Sequence, residues 1–231
     1  MTHAPSTALP QPPSLWSAPW HALKREWMLY HLGDQRFRFL YDQAPEDEWV
    51  SLDCETTGLN PRTDDIIAIG AVRIRGNRVL TSQTLRLLVK PRKAVSAEAI
   101  KVHGLRERDV AGGLDIDEAI QQLLHFIGPR PLVGYYLEFD VALINRALFP
   151  ILGVHLPQPK VEISALYYDW KQRHLPPYQH GASIDLRLAT LMADLALPTR
   201  QAHDAVNDAI MAALAFLKLK RLLGEPAPPR A

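Results

Sequence analysis

WVSLDCETTGLNPRTDDIIAIGAVRIRGNRVLTSQTLRLLVK, residues 49–90, reads as three consecutive β-strands. The first run, WVSLDCE, alternates apolar and polar side chains until Thr56-Thr57-Gly58 closes it. DIIAIGAVRIR and RVLTSQTLRLLVK are rich in β-branched and apolar residues, and Gly76-Asn77 between them is a strong hairpin signal. Pro91 stops the third run, because proline cannot donate to a sheet ladder. The segments that follow change period. SAEAIKVHG (96–104) predicts a short helix ending at Gly104, and DIDEAIQQLLHFIG (115–128) an amphipathic helix capped by Gly128. PLVGYY (131–136) predicts a strand and EFDVALINRALF (138–149) a helix. Residues 161–175, 183–197 and 203–223 predict three more helices, with a Pro- and Gly-containing loop at 176–182. An antiparallel three-strand start followed by alternating helices and strands implies an α/β fold with helices packed around the sheet.

Upstream, residues 1–19 hold Pro5, Pro10, Pro12, Pro13 and Pro19, which predicts a flexible or extended arm. Residues 20–42 carry Trp20, Leu23, Trp27, Tyr30 and His31 at helical spacing, and RFRFLY (36–41) then alternates like a short strand. The expected organisation is a Pro-rich arm and strap over 1–47, the main domain over 48–223, and a disordered tail over 224–231.

Composition excludes some functions. The chain has 231 residues, 47% hydrophobic and 22% charged, as expected of a soluble globular protein. Its 26 basic and 25 acidic side chains give a net charge of +1, which argues against a role as a nucleic-acid coat. One cysteine, Cys54, precludes an intrachain disulfide framework or a cysteine-based zinc cluster. No run approaches the ~18 apolar residues that a bilayer-crossing helix needs. The N-terminus lacks a secretory pattern, so the expected compartment is the cytoplasm.

Asp53 and Glu55 share one face of the first strand, ~6.6 Å apart along it. Carboxylates at that spacing can flank a metal pair, and cations offset the penalty of burying acids among Trp49, Val50 and Leu52. The alternative is two solvated acids at a strand end. Asp140 stands near a helix start, where the macrodipole favours a carboxylate in any case. Glu138 competes for the same role, and the residues alone do not rank the two. His203 and Asp208 lie five positions apart, a net turn of ~140°, so one helix face cannot present both. They converge only if His203 precedes the helix, with Asp204 as its N-cap. The alternative is an exposed loop histidine beside a solvated helix-start acid.

In combination these segments carry a resemblance. LDCETTGLNP (52–61), VGYYLEFD (133–140) and HDAVNDA (203–209) resemble, in order and spacing, the motifs of the DnaQ-like 3′–5′ exonuclease superfamily. That group contains the proofreading epsilon subunit of bacterial DNA polymerase III, and the last motif is similar to its DEDDh branch. SAEAIKVHGL (96–105) resembles the group's substrate-contacting segment, so the likeness covers roughly residues 48–222.

The resemblance implies a ribonuclease H-like mixed sheet, three antiparallel strands followed by parallel ones, with two Mg²⁺ or Mn²⁺ ions. By this likeness Asp53 bridges both ions, Glu55 and Asp208 complete one site, Asp140 supports the second and His203 is the general base. Thr56, Gly58, Leu59, Glu98 and His103 are implied as contacts to the terminal nucleotide. The implied reaction releases nucleoside 5′-monophosphates from 3′ ends of single-stranded or frayed DNA. A ribonuclease of the same superfamily, acting on RNA 3′ ends or short oligoribonucleotides, shares these motifs. A non-catalytic nucleic-acid or partner-binding module is the reading of another class. Where the family often has His-Asn, this chain has Tyr135-Tyr136, which leaves substrate preference open. No long region follows the last helix, so a stand-alone enzyme is expected, and the N-terminal extension is the candidate contact to a replication or repair partner.

Overall fold

The computed structural model describes residues 19–176 and 183–224. Residues 1–18 of the expected arm, 177–182 of the expected loop and 225–231 of the expected tail lie outside the described residues. Helix α1 (Pro19–His31) leads through a 3₁₀ turn (Gln35–Tyr41) to β1 (Glu48–Thr56), β2 (Ile66–Arg75) and β3 (Arg78–Leu88). Then come α2 (Ala97–His103), α3 (Glu107–Val110), α4 (Ile116–Ile127), β4 (Leu132–Gly134) and α5 (Leu137–Leu152). β5 (Lys160–Glu162), α6 (Ile163–His174), α7 (Leu188–Asp194) and α8 (Ala205–Gly224) complete the order. The sheet runs β3-β2-β1-β4-β5, antiparallel across the first three strands and parallel from β1 through β4 to β5. It is the α/β sheet with surrounding helices that the strand pattern predicted, in the mixed order that the resemblance implied.

Strand alternation sorts the core into two layers. Val50, Leu52 and Cys54 of β1 face one way, joining Leu123, Leu124 and Ile127 of α4 with Val141, Ile144 and Leu148 of α5. Trp49 of β1, with Val72 and Ile74 of β2, faces Ile210, Ala213 and Phe216 of α8. Cys54 is therefore a buried apolar-side residue, turned away from its two acidic neighbours. Among the described residues no helix is long and apolar enough to cross a membrane.

Four local expectations are corrected. RFRFLY is a 3₁₀ turn and not a strand. Phe37, Leu40 and Tyr41 are all buried, an i, i+3, i+4 set that one helical turn satisfies and an alternating strand does not. Asp34 caps it, accepting the Arg36 N–H at 2.9 Å. α1 forms, but the side chains expected to pack point outward: Leu23 is 64%, Trp27 59% and Tyr30 85% exposed. Leu29 and Leu32 face inward instead, because the 3₁₀ turn and the α4–α5 layer supply their partners. Residues 160–162 are a short parallel strand beside β4, too brief for periodicity to reveal. Helix α7 starts only at Leu188. Asp185 ties the preceding segment into a tight turn, accepting from the Arg187 N–H at 3.0 Å and from Thr190 Oγ1 at 2.7 Å.

Candidate metal centre and active site

Asp53 and Glu55 project from β1 on the face that meets α8, and Asp208 lies in the first turn of α8. Ligand atoms of these three carboxylates lie within 4.8 Å of one another. Their convergence depends on Gly70, which pairs with Asp53 across the β1–β2 ladder. A Cβ at Gly70 would stand 2.1 Å from the Ala205 carbonyl carbon. Only a glycine lets the start of α8 rest directly on the sheet. Arg86 of β3 adds a bidentate clasp to Asp204, at 2.6 and 2.9 Å. Asp204 also accepts the Asn207 N–H at 3.0 Å, the N-cap bond expected of it.

His203 lies outside the helix, in the left-handed region with φ +63°, and its main-chain N–H donates to Asp208 at 2.9 Å. His203 is exposed, and its main chain is thus tied to a helix-borne carboxylate that lies on a different helical face from its own position. Asp140 enters from the opposite side, on α5. It is 4% exposed and accepts the Cys54 N–H at 3.1 Å. Glu138 instead points outward and pairs with Lys160 at 2.8 Å. Which of the two acids turns inward is therefore set by tertiary structure.

Withdrawal from water pushes the acids of this cluster up from their ordinary pKa values. For Asp53 burial is the largest cause, followed by the charges of Asp140, Asp208 and Glu55. Burial likewise raises Asp140 and Asp208. Glu55 moves from 4.5 to about 7, through burial first and then Asp208 and Asp204. Glu55 Oε1 and Asp208 Oδ1 are buried with no hydrogen-bond partner among the described residues. Orphaned, crowded carboxylate oxygens are the donor set of a hard divalent cation, so these residues fit one.

A pH dependence follows. With its folded pKa raised, Glu55 keeps a proton that the unfolded chain has released, so its stabilising contribution is full below 4.5 and is lost as pH rises through about 7. Metal-free protein should lose on the order of 3 kcal/mol relative to Glu55→Gln across that interval. Paired denaturant titrations in EDTA at several pH values measure it; parallel curves would refute it.

The positions expected to touch a nucleotide divide. Thr56 is buried and its hydroxyl donates to the Gly58 carbonyl at 2.6 Å, whereas Leu59 is 90% exposed. The loop that carries Leu59 is braced by Arg146, which donates to the carbonyls of Pro61 and Asp64. Glu98 is exposed in the first turn of α2. His103 Nδ1 accepts the Leu105 N–H at 3.0 Å, so the ring proton sits on Nε2, which donates to the Thr56 carbonyl at 3.2 Å. Both ring nitrogens are thus engaged in bracing the end of β1, and burial lowers the His103 pKa. Gly70 and Arg86 were not picked out from the chain. A glycine inside a strand was the legible signal for Gly70; for Arg86 no local signal exists.

A family model described as exonuclease, of the RNase T type, matches residues 50–216. This chain belongs to that exonuclease family. The chain is similar to the PolC-type DNA polymerase III of Thermotoga maritima, 26% identical over 175 residues, covering 76% of this chain and 12% of that protein. The chain spans about an eighth of the length of the first such polymerases it matches. It also resembles the DNA polymerase III epsilon subunit of Aquifex aeolicus, 24% identical over 178 residues, covering 77% of this chain and 83% of that one. Among solved structures, exonuclease X in complex with 5′-overhanging duplex DNA shares the fold, with a TM-score of 0.59 at 21% identity, covering 78% of this chain and 95% of the other.

Proposed function

We propose that this exonuclease-family chain hydrolyses nucleic acid from the 3′ end, releasing nucleoside 5′-monophosphates from single-stranded or frayed DNA. The observation that carries the reading is the convergence of Asp53, Glu55 and Asp208 within 4.8 Å, with orphaned oxygens on two of them. Asp53, Glu55 and Asp208, with Asp140 behind them, would hold two Mg²⁺ or Mn²⁺ ions. Bound divalent cations polarise the phosphate and stabilise charge on the attacking and leaving oxygens. Four carboxylates against two such ions leave about zero net charge, so a phosphodiester enters unrepelled.

His203 is the proposed acceptor of the attacking water's proton. Its exposure and its main-chain tie to Asp208 support that role, as does the match of imidazole to proton transfer near neutral pH. Leu59, on its braced loop, and Thr56 and Gly58 beside it are the proposed cradle of the terminal nucleotide. Glu98 and His103 flank it from α2, the latter through its ring face. Residues 48–223 are taken as the exonuclease unit, preceded over 1–47 by the Pro-rich arm and strap. The outward Leu23, Trp27 and Tyr30 of α1 support a replication or repair partner on that side.

The test uses 5′-labelled DNA and RNA oligonucleotides of one sequence, with Mg²⁺, Mn²⁺ or EDTA. A ladder shortening from the 3′ end of DNA, absent in EDTA, is expected. RNA trimmed while DNA stays intact would reassign the substrate. Cleavage of neither would leave the binding-module reading.

A further inference from the structure

Among the described residues, four non-glycine positions have positive φ, and two of them, Tyr136 and His203, belong to segments that deliver the carboxylate cluster. Tyr136 sits at φ +54°, ψ +35°, immediately before α5. That left-handed conformation is natural for glycine, tolerable for asparagine and unfavourable for a bulky ring. Its surroundings enforce it. Glu162 accepts the N–H groups of Tyr136 and Leu137 at 3.1 and 2.9 Å, while also capping α6 through the Ser164 N–H at 3.1 Å. The neighbouring Tyr135 is pinned by its hydroxyl, which donates to the Leu186 carbonyl at 3.1 Å. The two rings lie 4.5 Å apart, tilted by 52°.

Core packing does not account for this expenditure of strain, because Tyr136 remains 57% exposed. What it achieves is placement. Tyr136 is the N-cap residue of α5, whose first turn carries Asp140, and its ring lies against the anchored Tyr135 ring. Strain held by several independent bonds at the start of the helix that carries Asp140 marks a functional position.

We infer that Tyr136 is a stacking platform for an unpaired nucleobase of the substrate strand, close behind its reacting end. This rests on the exonuclease reading and deepens it, by naming the feature of the substrate that is recognised. A base within a duplex already stacks on its neighbours, whereas an unpaired one gains a partner from an exposed ring. The platform therefore favours single-stranded or frayed ends and is tolerant of sequence.

The experiment compares the full chain with Tyr136→Gly, which removes the ring while suiting the left-handed backbone, and with Tyr136→Phe, which keeps the ring. Substrates are a single-stranded DNA oligonucleotide and a set carrying one abasic residue at each of the last few 3′ positions. Tyr136→Gly should raise KM about tenfold on the intact strand, without a lower melting temperature, and Tyr136→Phe should recover most of that loss. One abasic position should weaken the parent to a similar degree and leave Tyr136→Gly no further loss. An unchanged KM for Tyr136→Gly, or an equal loss on every abasic strand, overturns the inference. A parent inert on every strand overturns the exonuclease reading itself, which is a different result.

Discussion

Asp53→Asn should lower cleavage about a thousandfold, ~4 kcal/mol of transition-state stabilisation, while raising the melting temperature of the metal-free protein. The two effects share one cause. Asp53 stands in a crowd of acids, and its pKa is raised by burial and then by Asp140, Asp208 and Glu55. Without cations the folded state must either keep a proton there or tolerate like charges at close range. Asparagine retains the shape and removes the charge. Each kcal/mol of relieved repulsion should raise the melting temperature by about 2–4 °C in a chain of this size. The same change should blunt the stabilisation that Mg²⁺ confers on the parent, because ligand binding stabilises only through affinity for the folded form. Thermal melts in EDTA and in Mg²⁺, beside a cleavage assay, measure all three. A variant that cuts as well as the parent, or melts lower in EDTA, would sink the assignment of Asp53 as a metal-facing acid.

Gly70→Ala should damage stability and activity together. The added methyl would lie 2.1 Å from the Ala205 carbonyl carbon and 2.3 Å from both the Ala205 oxygen and the Val206 nitrogen. All three are backbone atoms, so no side-chain rotation relieves the clash, and α8 must lift from the sheet. Overpacking of this kind costs about 3 kcal/mol, equivalent to a fall of roughly 10 °C. Ala205 precedes Asp208 by less than a turn, so lifting the helix also withdraws that carboxylate from Asp53 and Glu55. A displacement near 1 Å at a reacting centre can cost on the order of a hundredfold in rate. Gly76→Ala is the control: its φ of +57° makes alanine unfavourable there, yet nothing lies within 4 Å of the new methyl. It should lose about 1 kcal/mol and keep full cleavage. If Gly70→Ala behaved like Gly76→Ala in both measurements, the close approach of α8 to β2 would not control the site.

Much of the fold was legible because it is written in local periods. The alternation in β1, the Gly76-Asn77 turn and the 3.6-residue stripe of α4 are properties of neighbours along the chain, and the structure contains all three. The failures are equally instructive. Trp27 and Tyr30 have the spacing of a packed helical face, yet the buried residues are Leu29 and Leu32. Which face of α1 turns inward depends on the 3₁₀ turn and on α4 and α5, which lie far away in sequence. RFRFLY failed for the same reason: alternation was visible, but the burial of Phe37, Leu40 and Tyr41 together was not.

The site divides along the same line. Asp53 and Glu55 could be paired from the chain alone, because a strand repeats every two residues and no distant contact is needed to align them. The requirement that His203 stand outside the helix holding Asp208 was also a local matter, a consequence of five steps at 100° each. Only the tertiary structure decided that Asp140 and not Glu138 turns toward Asp53, since the deciding bond, from the Cys54 N–H, joins residues 86 positions apart. It alone also made Gly70 the floor beneath α8 and Glu162 the brace that holds Tyr136. Periodicity along a chain specifies which side chains share a face; which faces meet is settled by packing between segments that sequence order keeps apart.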